Sequence, residues 1–281
     1  MIRGAGVRLL RVCTRVRNRR PRFKAGIRML TENRPDQLLI RNQMLARLPA
    51  EVFARLQPHL QRIEIKRRAI VQERHWPVEY VYFIERGVAS IFASTSQDGP
   101  VQVALVGRFG LVGVSALLGV KRSPHRCLMQ TDGEALRISA RELVAAMNSN
   151  EAVRQQLLNY VHFLLIQNSQ FALCNARHEL QERLSRWLLL THDRLDDDVI
   201  PVTHDLLSMM LGVRRAGITE ALASLEQAGA VRRTRGAIEI ADRSVLEQYA
   251  CECYRIISTE RTRGTRPEPS RCANANGMAI L

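Results

Sequence analysis

The 281 residues are 46% hydrophobic and 25% charged, the balance of an ordinary globular chain, and the length allows two domains. No window has the apolar length of a membrane span, and the basic N-terminus lacks the apolar core of a signal peptide, so membrane insertion and secretion are not expected. The net charge of +15 and pI near 10.6 suggest a polyanionic partner, but residues 1–31 carry ten basic residues and no acid, which leaves only a small excess elsewhere.

Residues 1–35 read as a disordered basic arm. A transit peptide, or an upstream extension of the reading frame with Met29 or Met44 as the start, are the other readings of that composition. Two short amphipathic helices broken at Pro49 are expected over 36–60. From Ile63 to about Ile138 the apolar period changes to two. The segments IEIKRRAIV, VEYVYFIERGVASIFAS, VQVALV and ALRIS read as strands, with turns at Gly87 and Asp98-Gly99. Short strands without intervening helices point to an antiparallel barrel or jelly roll. Gly107, Gly110 and Gly113 interrupt it before a short apolar segment. That cassette fits either a helix start facing an anion or a corner of the roll.

The longest helical pattern covers 149–176. Leu157, Val161, Leu164, Asn168, Phe171 and Asn175 alternate spacings of four and three, the seam of a coiled-coil dimer spine with asparagines fixing its register. A second helix follows with Leu180, Leu184, Trp187 and Leu188 on one face, then an acidic run, Asp196 to Asp198, expected to be solvated. Pro201 to Glu226 has the order of a helix-turn-helix. Thr203 can cap a first helix, Gly212 can take the positive φ of the turn, and Ile218, Leu222 and Leu225 face inward on a second helix. Arg214, Arg215, Thr219 and Ser224 are left outside, so the second helix can enter a major groove. AVRRTRGAIEI then reads as a hairpin wing turning at Arg235-Gly236, with Arg232, Arg233 and Arg235 placed for phosphates.

Chemistry of other kinds finds little support. Cys13, Cys127, Cys174, Cys251, Cys253 and Cys272 read as reduced thiols of a cytosolic protein, and Cys251-x-Cys253 lacks a second ligand pair, so no metal is expected. His59, His75 and His125 are too scattered for a cupin-like metal enzyme, and no nucleophile motif occurs, so the chain is not read as an enzyme.

The order of two short helices, β-roll with a glycine cassette, long helix and winged helix-turn-helix resembles the Crp/Fnr superfamily of bacterial transcription regulators. The resemblance covers about 36–257. It rests on Tyr82-Phe83-Ile84-x-x-Gly87, Phe109-Gly110-x-x-Gly113, Arg183-Leu-x-Arg-Trp-Leu188, and Thr203 with Leu211-Gly212-Val213-x-Arg215. It implies an α+β fold with a cyclic-nucleotide-binding-like sensor (36–148), a dimerisation helix (149–176) and a winged helix-turn-helix (177–257); the composition of 258–281 reads as a disordered tail. It also implies a homodimer on palindromic double-stranded DNA, with RNA polymerase as a further partner. Thr203, Arg214, Arg215, Ala216, Thr219 and the wing arginines would meet DNA. Phe109, Gly110, Gly113, Arg122 and Ser123 would line the effector pocket.

Two departures from the family matter. Leu111 stands where members that bind cyclic AMP carry a Glu for the ribose, so cyclic AMP is not the expected effector. Ala216 follows Arg215 where a base-reading Glu is usual, so the operator should differ from the family's best-known one; Gly217 is expected to let the backbone approach DNA. The alternative function is a cyclic-nucleotide module that regulates a partner protein without binding DNA.

Overall fold

The computed structural model describes residues 26–30 and 35–263. The strands β1 (Ile27–Met29), β2 (Gln61–Ile65), β3 (Ile70–Gln72), β4 (Tyr80–Arg86), β5 (Ala89–Ala93), β6 (Val101–Val106), β7 (Leu111–Val112), β8 (Arg126–Met129) and β9 (Gly133–Ser139) build a roll. One antiparallel sheet runs β1-β2-β9-β4-β7 and the other β3-β8-β5-β6. Strand β4 shows why the sequence reads as it does. Tyr82 and Ile84 point into the roll with Ile63, Ile65 and Met129, whereas Val81 and Phe83 join the helices outside. A strand covered on both faces has no polar side to show, hence the unbroken VYFI. Strands β5 and β6 pair antiparallel across the Asp98-Gly99 turn, as its sequence predicts.

Helices α1 (Gln43–Ala46) and α2 (Ala50–Leu56) flank Pro49; α3 (Val114–Leu117) and α4 (Ala140–Ser149) lie within and after the roll. The first pair is pinned by Glu85, whose buried carboxylate accepts the N–H groups of Arg41 and Asn42 at 3.0 and 2.9 Å. The Asn42 side chain caps α1 and donates to the carbonyls of Ile84 and Gly110 at 2.9 and 2.8 Å. These bonds satisfy buried backbone groups that would otherwise each cost about 1–3 kcal/mol.

Asn150 caps α5 (Glu151–Arg177), which is about 40 Å long at 1.5 Å per residue. The expected seam needs correction. Leu157, Leu164 and Phe171 are buried against the chain's own core rather than left as an exposed apolar row. The large apolar side chains left exposed on α5 are Leu158, Leu165 and Leu173, at 41%, 61% and 47%. Asn168 and Asn175 are exposed and Val161 is half-buried between the two faces. Spacing of four and three identifies an apolar stripe but not the body that covers it.

The second half comprises α6 (Leu180–His192), β10 (Val199–Ile200), α7 (His204–Leu211), α8 (Arg215–Gln227), β11 (Val231–Thr234), β12 (Ala237–Ile240), α9 (Arg243–Gln248) and α10 (Glu252–Arg263). Its strands form a sheet in the order β10-β12-β11. It packs on the roll through the buried Trp187, whose Nε1 donates to Gln102 Oε1 of β6 at 2.7 Å. Asp196 is not simply solvated, because it pairs with Arg41 and Arg108 of the first half, each at 2.7 Å. Asp193, at the end of α6, binds Arg243 of α9 and Arg261 of α10 at 2.8 and 3.0 Å.

Two expected limits move. Strand β1 lies inside the supposed arm and pairs with β2, and α10 continues past residue 257 to Arg263. The rest of the arm and tail lies outside the described residues. No helix among the described residues is long and apolar enough to cross a membrane.

Candidate effector cavity and nucleic-acid interface

The helix-turn-helix is built as its residues dictate. The Thr203 hydroxyl accepts the Leu206 N–H at 3.3 Å and caps α7, and Gly212 takes the turn at φ 64°. Ile218, Ala221, Leu222 and Leu225 bury one face of α8. Arg214, Arg215, Ala216 and Thr219 are exposed on the other, beginning at its N-terminus. Arg215 lies 3.3 Å from Asp205 of α7, an exposed pair that contributes little to stability. His204 Nδ1 lies 3.1 Å from the Thr219 hydroxyl; burial, then the charges of Arg215 and Arg233, holds its imidazole below its usual range.

The wing arginines differ from one another. Arg232 donates to Glu239 across the hairpin at 3.0 Å, and Arg233 Nε donates to Glu226 of α8 at 2.6 Å. That bond and the Arg233 N–H hold the Glu226 carboxyl below its usual range. Arg235 sits exposed at the wing turn, and like Arg214 it has no carboxylate partner among the described residues. The expectation for Gly217 is overturned. It turns toward α6, where a Cβ would come 2.9 Å from Leu180 Cδ2, so this glycine serves helix–helix packing.

In the first half a cavity of about 620 Å³ opens between β5, β6, α3, the loop before β8 and the side of α5. Of the residues proposed for an effector pocket, Gly113, Arg122 and Ser123 line it. Phe109 and Gly110 do not. Phe109 lies beneath Arg261, its ring centroid 4.4 Å from the guanidinium carbon, and a Cβ at Gly110 would overlap the Tyr160 ring. Those residues turn a corner of the fold. Helix α3 starts from Gly113, at φ 110°.

Sequence reasoning missed Gln72, Gln102, Ser115 and His125, which add polar groups to the cavity from segments far apart in the chain. Burial, then the charge of Arg74, holds His125 below its usual range, so Arg122 is the charged group and no carboxylate lines the cavity among the described residues. The Ser123 hydroxyl accepts the His125 N–H at 3.1 Å and keeps its own proton to donate.

The family model for the cyclic nucleotide-binding domain matches residues 62–150, and that for the Crp-like helix-turn-helix domain matches 182–249. The chain belongs to the Crp/Fnr superfamily. It is a DNA-binding transcription regulator with an effector-sensing domain, from a family of regulators rather than enzymes. No curated protein matches it. Among solved structures, FixK2 from Bradyrhizobium japonicum has a TM-score of 0.60 at 16% identity, over 68% of this chain and 98% of that one. TTHB099, a CRP-family transcriptional regulator from Thermus thermophilus, has 0.57 at 16%, over 66% and 95%. The c-di-GMP-responsive global regulator CLP of Xanthomonas campestris has 0.56 at 19%, over 69% and 100%. At these identities the likeness is one of fold.

In this Crp/Fnr chain Leu111 is fully buried on β7, and its carbonyl accepts the Tyr160 hydroxyl at 3.0 Å. One constellation lies apart from cavity and interface. The fold brings Cys174 and His178, at the end of α5, against Cys251 and Cys253, at the start of α10, supplying the second ligand pair that Cys251-x-Cys253 lacks in sequence. The i, i+4 spacing of Cys174 and His178 was the available signal, since it puts both on one helix face; its partner lies 77 residues away.

Proposed function

We propose that this regulator acts as a homodimer on a palindromic operator, inserting α8 into the major groove. The observation that carries the reading is the first turn of α8: Arg214, Arg215, Ala216 and Thr219 exposed together, with the opposite face locked in the core. Arg215 reads a base edge, and Arg214, Thr203 and Arg235 position the phosphates. Arg232 and Arg233 mainly brace the wing against Glu239 and Glu226. The exposed α5 stripe of Leu158, Leu165 and Leu173 is the dimer face, with Asn168 and Asn175 as its polar register marks. Two-fold symmetry then sets the half-sites about 34 Å apart. RNA polymerase as a further partner and the cytoplasm as compartment follow from the family.

The effector is a small ligand with one anionic group, met by Arg122 and the Ser123 hydroxyl, and an apolar body against Ile91, Val114 and Leu164. A cavity without a carboxylate offers no charged acceptor to ribose hydroxyls, which argues against cyclic AMP. The test is fluorescence anisotropy of the full chain on a duplex enriched from a random pool, with and without cyclic AMP. A palindrome whose affinity ignores cyclic AMP is the expected result. Enhancement by cyclic AMP would overturn the effector assignment, and no binding even at low salt would favour a module acting on a partner protein.

A further inference from the structure

Cys174, Cys251 and Cys253 are buried at 0%, 5% and 1% exposure, and their sulfurs and a His178 ring nitrogen all lie within 4.8 Å of one another. We propose that Cys174, His178, Cys251 and Cys253 form a tetrahedral site for a thiophilic divalent cation, zinc in the first instance. The distances match that geometry. A tetrahedral zinc with bonds of about 2.3 Å to sulfur and about 2.0 Å to nitrogen holds its sulfurs roughly 3.7 Å apart and a sulfur–nitrogen pair roughly 3.5 Å apart. Cys174 Sγ lies 3.4 Å from Cys251 Sγ, and Cys253 Sγ lies 3.6 Å from His178 Nδ1. Three thiolates and an imidazole make a closed structural set with no position left for substrate.

The electrostatics supply an independent reason. Arg186 of α6 is 1% exposed, lies over the Phe171 ring at 4.1 Å, and directs Nε at Cys174 Sγ at 3.2 Å. Its Nη1 is buried without a hydrogen-bond partner, and no carboxylate pairs with this guanidinium among the described residues. A buried cation needs a counter-charge close by. Zinc with three thiolates carries one net negative charge beside it. On binding, each thiol releases its proton to solvent, and no oxidation or reduction occurs.

The site ties the end of α5 to the start of α10, so the metal would fix the DNA-binding half against the long helix. This consequence rests on the DNA-binding reading, whereas the site itself does not. The test uses the full chain purified without chelator, with metal measured by plasma mass spectrometry. One zinc per chain is expected, lost in Cys253→Ala and retained in Cys127→Ala.

Cobalt in place of zinc should give a tetrahedral ligand-field spectrum with thiolate charge-transfer bands. In His178→Cys those bands should intensify, which keeps the test decisive should the alanine variant misfold. A folded protein with neither zinc nor a cobalt spectrum, or with a Cys174–Cys251 disulfide instead, would overturn the proposal, as would a spectrum indifferent to both variants. Chelation should weaken operator binding at least about fivefold, the low end of coupling between sites. Metal loss without that change would remove the coupling and leave the site standing.

Discussion

The proposed DNA-facing surface and the candidate effector cavity are assembled in opposite ways. The first comes from one continuous stretch, residues 201–240, whose cap, turn and hairpin close on themselves: Thr203 on Leu206, Gly212 in the turn, Arg232 on Glu239. The second draws its walls from β3, β5, β6, α3, the loop before β8 and α5. A surface closed by local bonds tolerates single changes, because each bond is short-range and contributes only about 1 kcal/mol. A surface held by remote contacts depends on a few buried side chains that span segments.

The sharpest way to break that comparison is at the junction. Trp187→Ala removes a fully buried indole and strands Gln102, so it should cost about 3–5 kcal/mol in urea denaturation. A loss under about 1 kcal/mol would mean that the two halves hardly depend on each other. Next, Arg215→Ala should cost about 1–3 kcal/mol on the operator and relax its sequence preference, while Arg235→Ala should weaken all duplexes alike and lower the salt slope by about one. Equal effects of both on operator and random DNA would refute the division of roles.

Asp193 sharpens the picture on the remote side. Burial raises its carboxyl, but Arg261 and Arg243 outweigh that and hold it below the usual range. Its contribution is therefore complete above the unfolded value, about pH 4, and is lost as pH falls through the lower folded value. Asp193→Asn should lower stability at neutral pH and flatten the acid limb of the urea midpoint; an unchanged acid limb would show that another group carries it. On the local side, Thr203→Ala should cost only about 1 kcal/mol by thermal unfolding. Smallest of all, Gly217→Ala should stay within about 0.5 kcal/mol, because the helix gains about 1 kcal/mol and the end of Leu180 must move to admit the methyl. A tenfold loss of DNA affinity in a stable Gly217→Ala protein would restore the reading in which this glycine faces DNA.

This contrast explains what could be read from the chain. The winged helix-turn-helix and the roll's strands were legible because capping, positive φ and period-two alternation are local. The orientation of Gly217 was not, since only the position of Leu180 decides which side of α8 is covered. Residues 157, 164 and 171 have the spacing of a dimer seam, yet the roll reaches them first. Phe109 and Gly110 belong to the family's glycine cassette but are taken up by Arg261 and Tyr160, while Gln72, Gln102 and His125 reach the cavity with no motif at all. Cys251-x-Cys253 looked incomplete because its complement lies on another helix.

One consequence concerns α5. Leu165, Asn168, Ala172 and Asn175 line the cavity and are also exposed along the proposed dimer face. A partner helix laid there would become part of the cavity's boundary. Mass action then binds the two equilibria together: whatever the effector adds to self-association, self-association must add to effector affinity by the same factor. Dilution of the protein would loosen its hold on the ligand, so the regulator's own abundance would set the concentration of signal to which it responds.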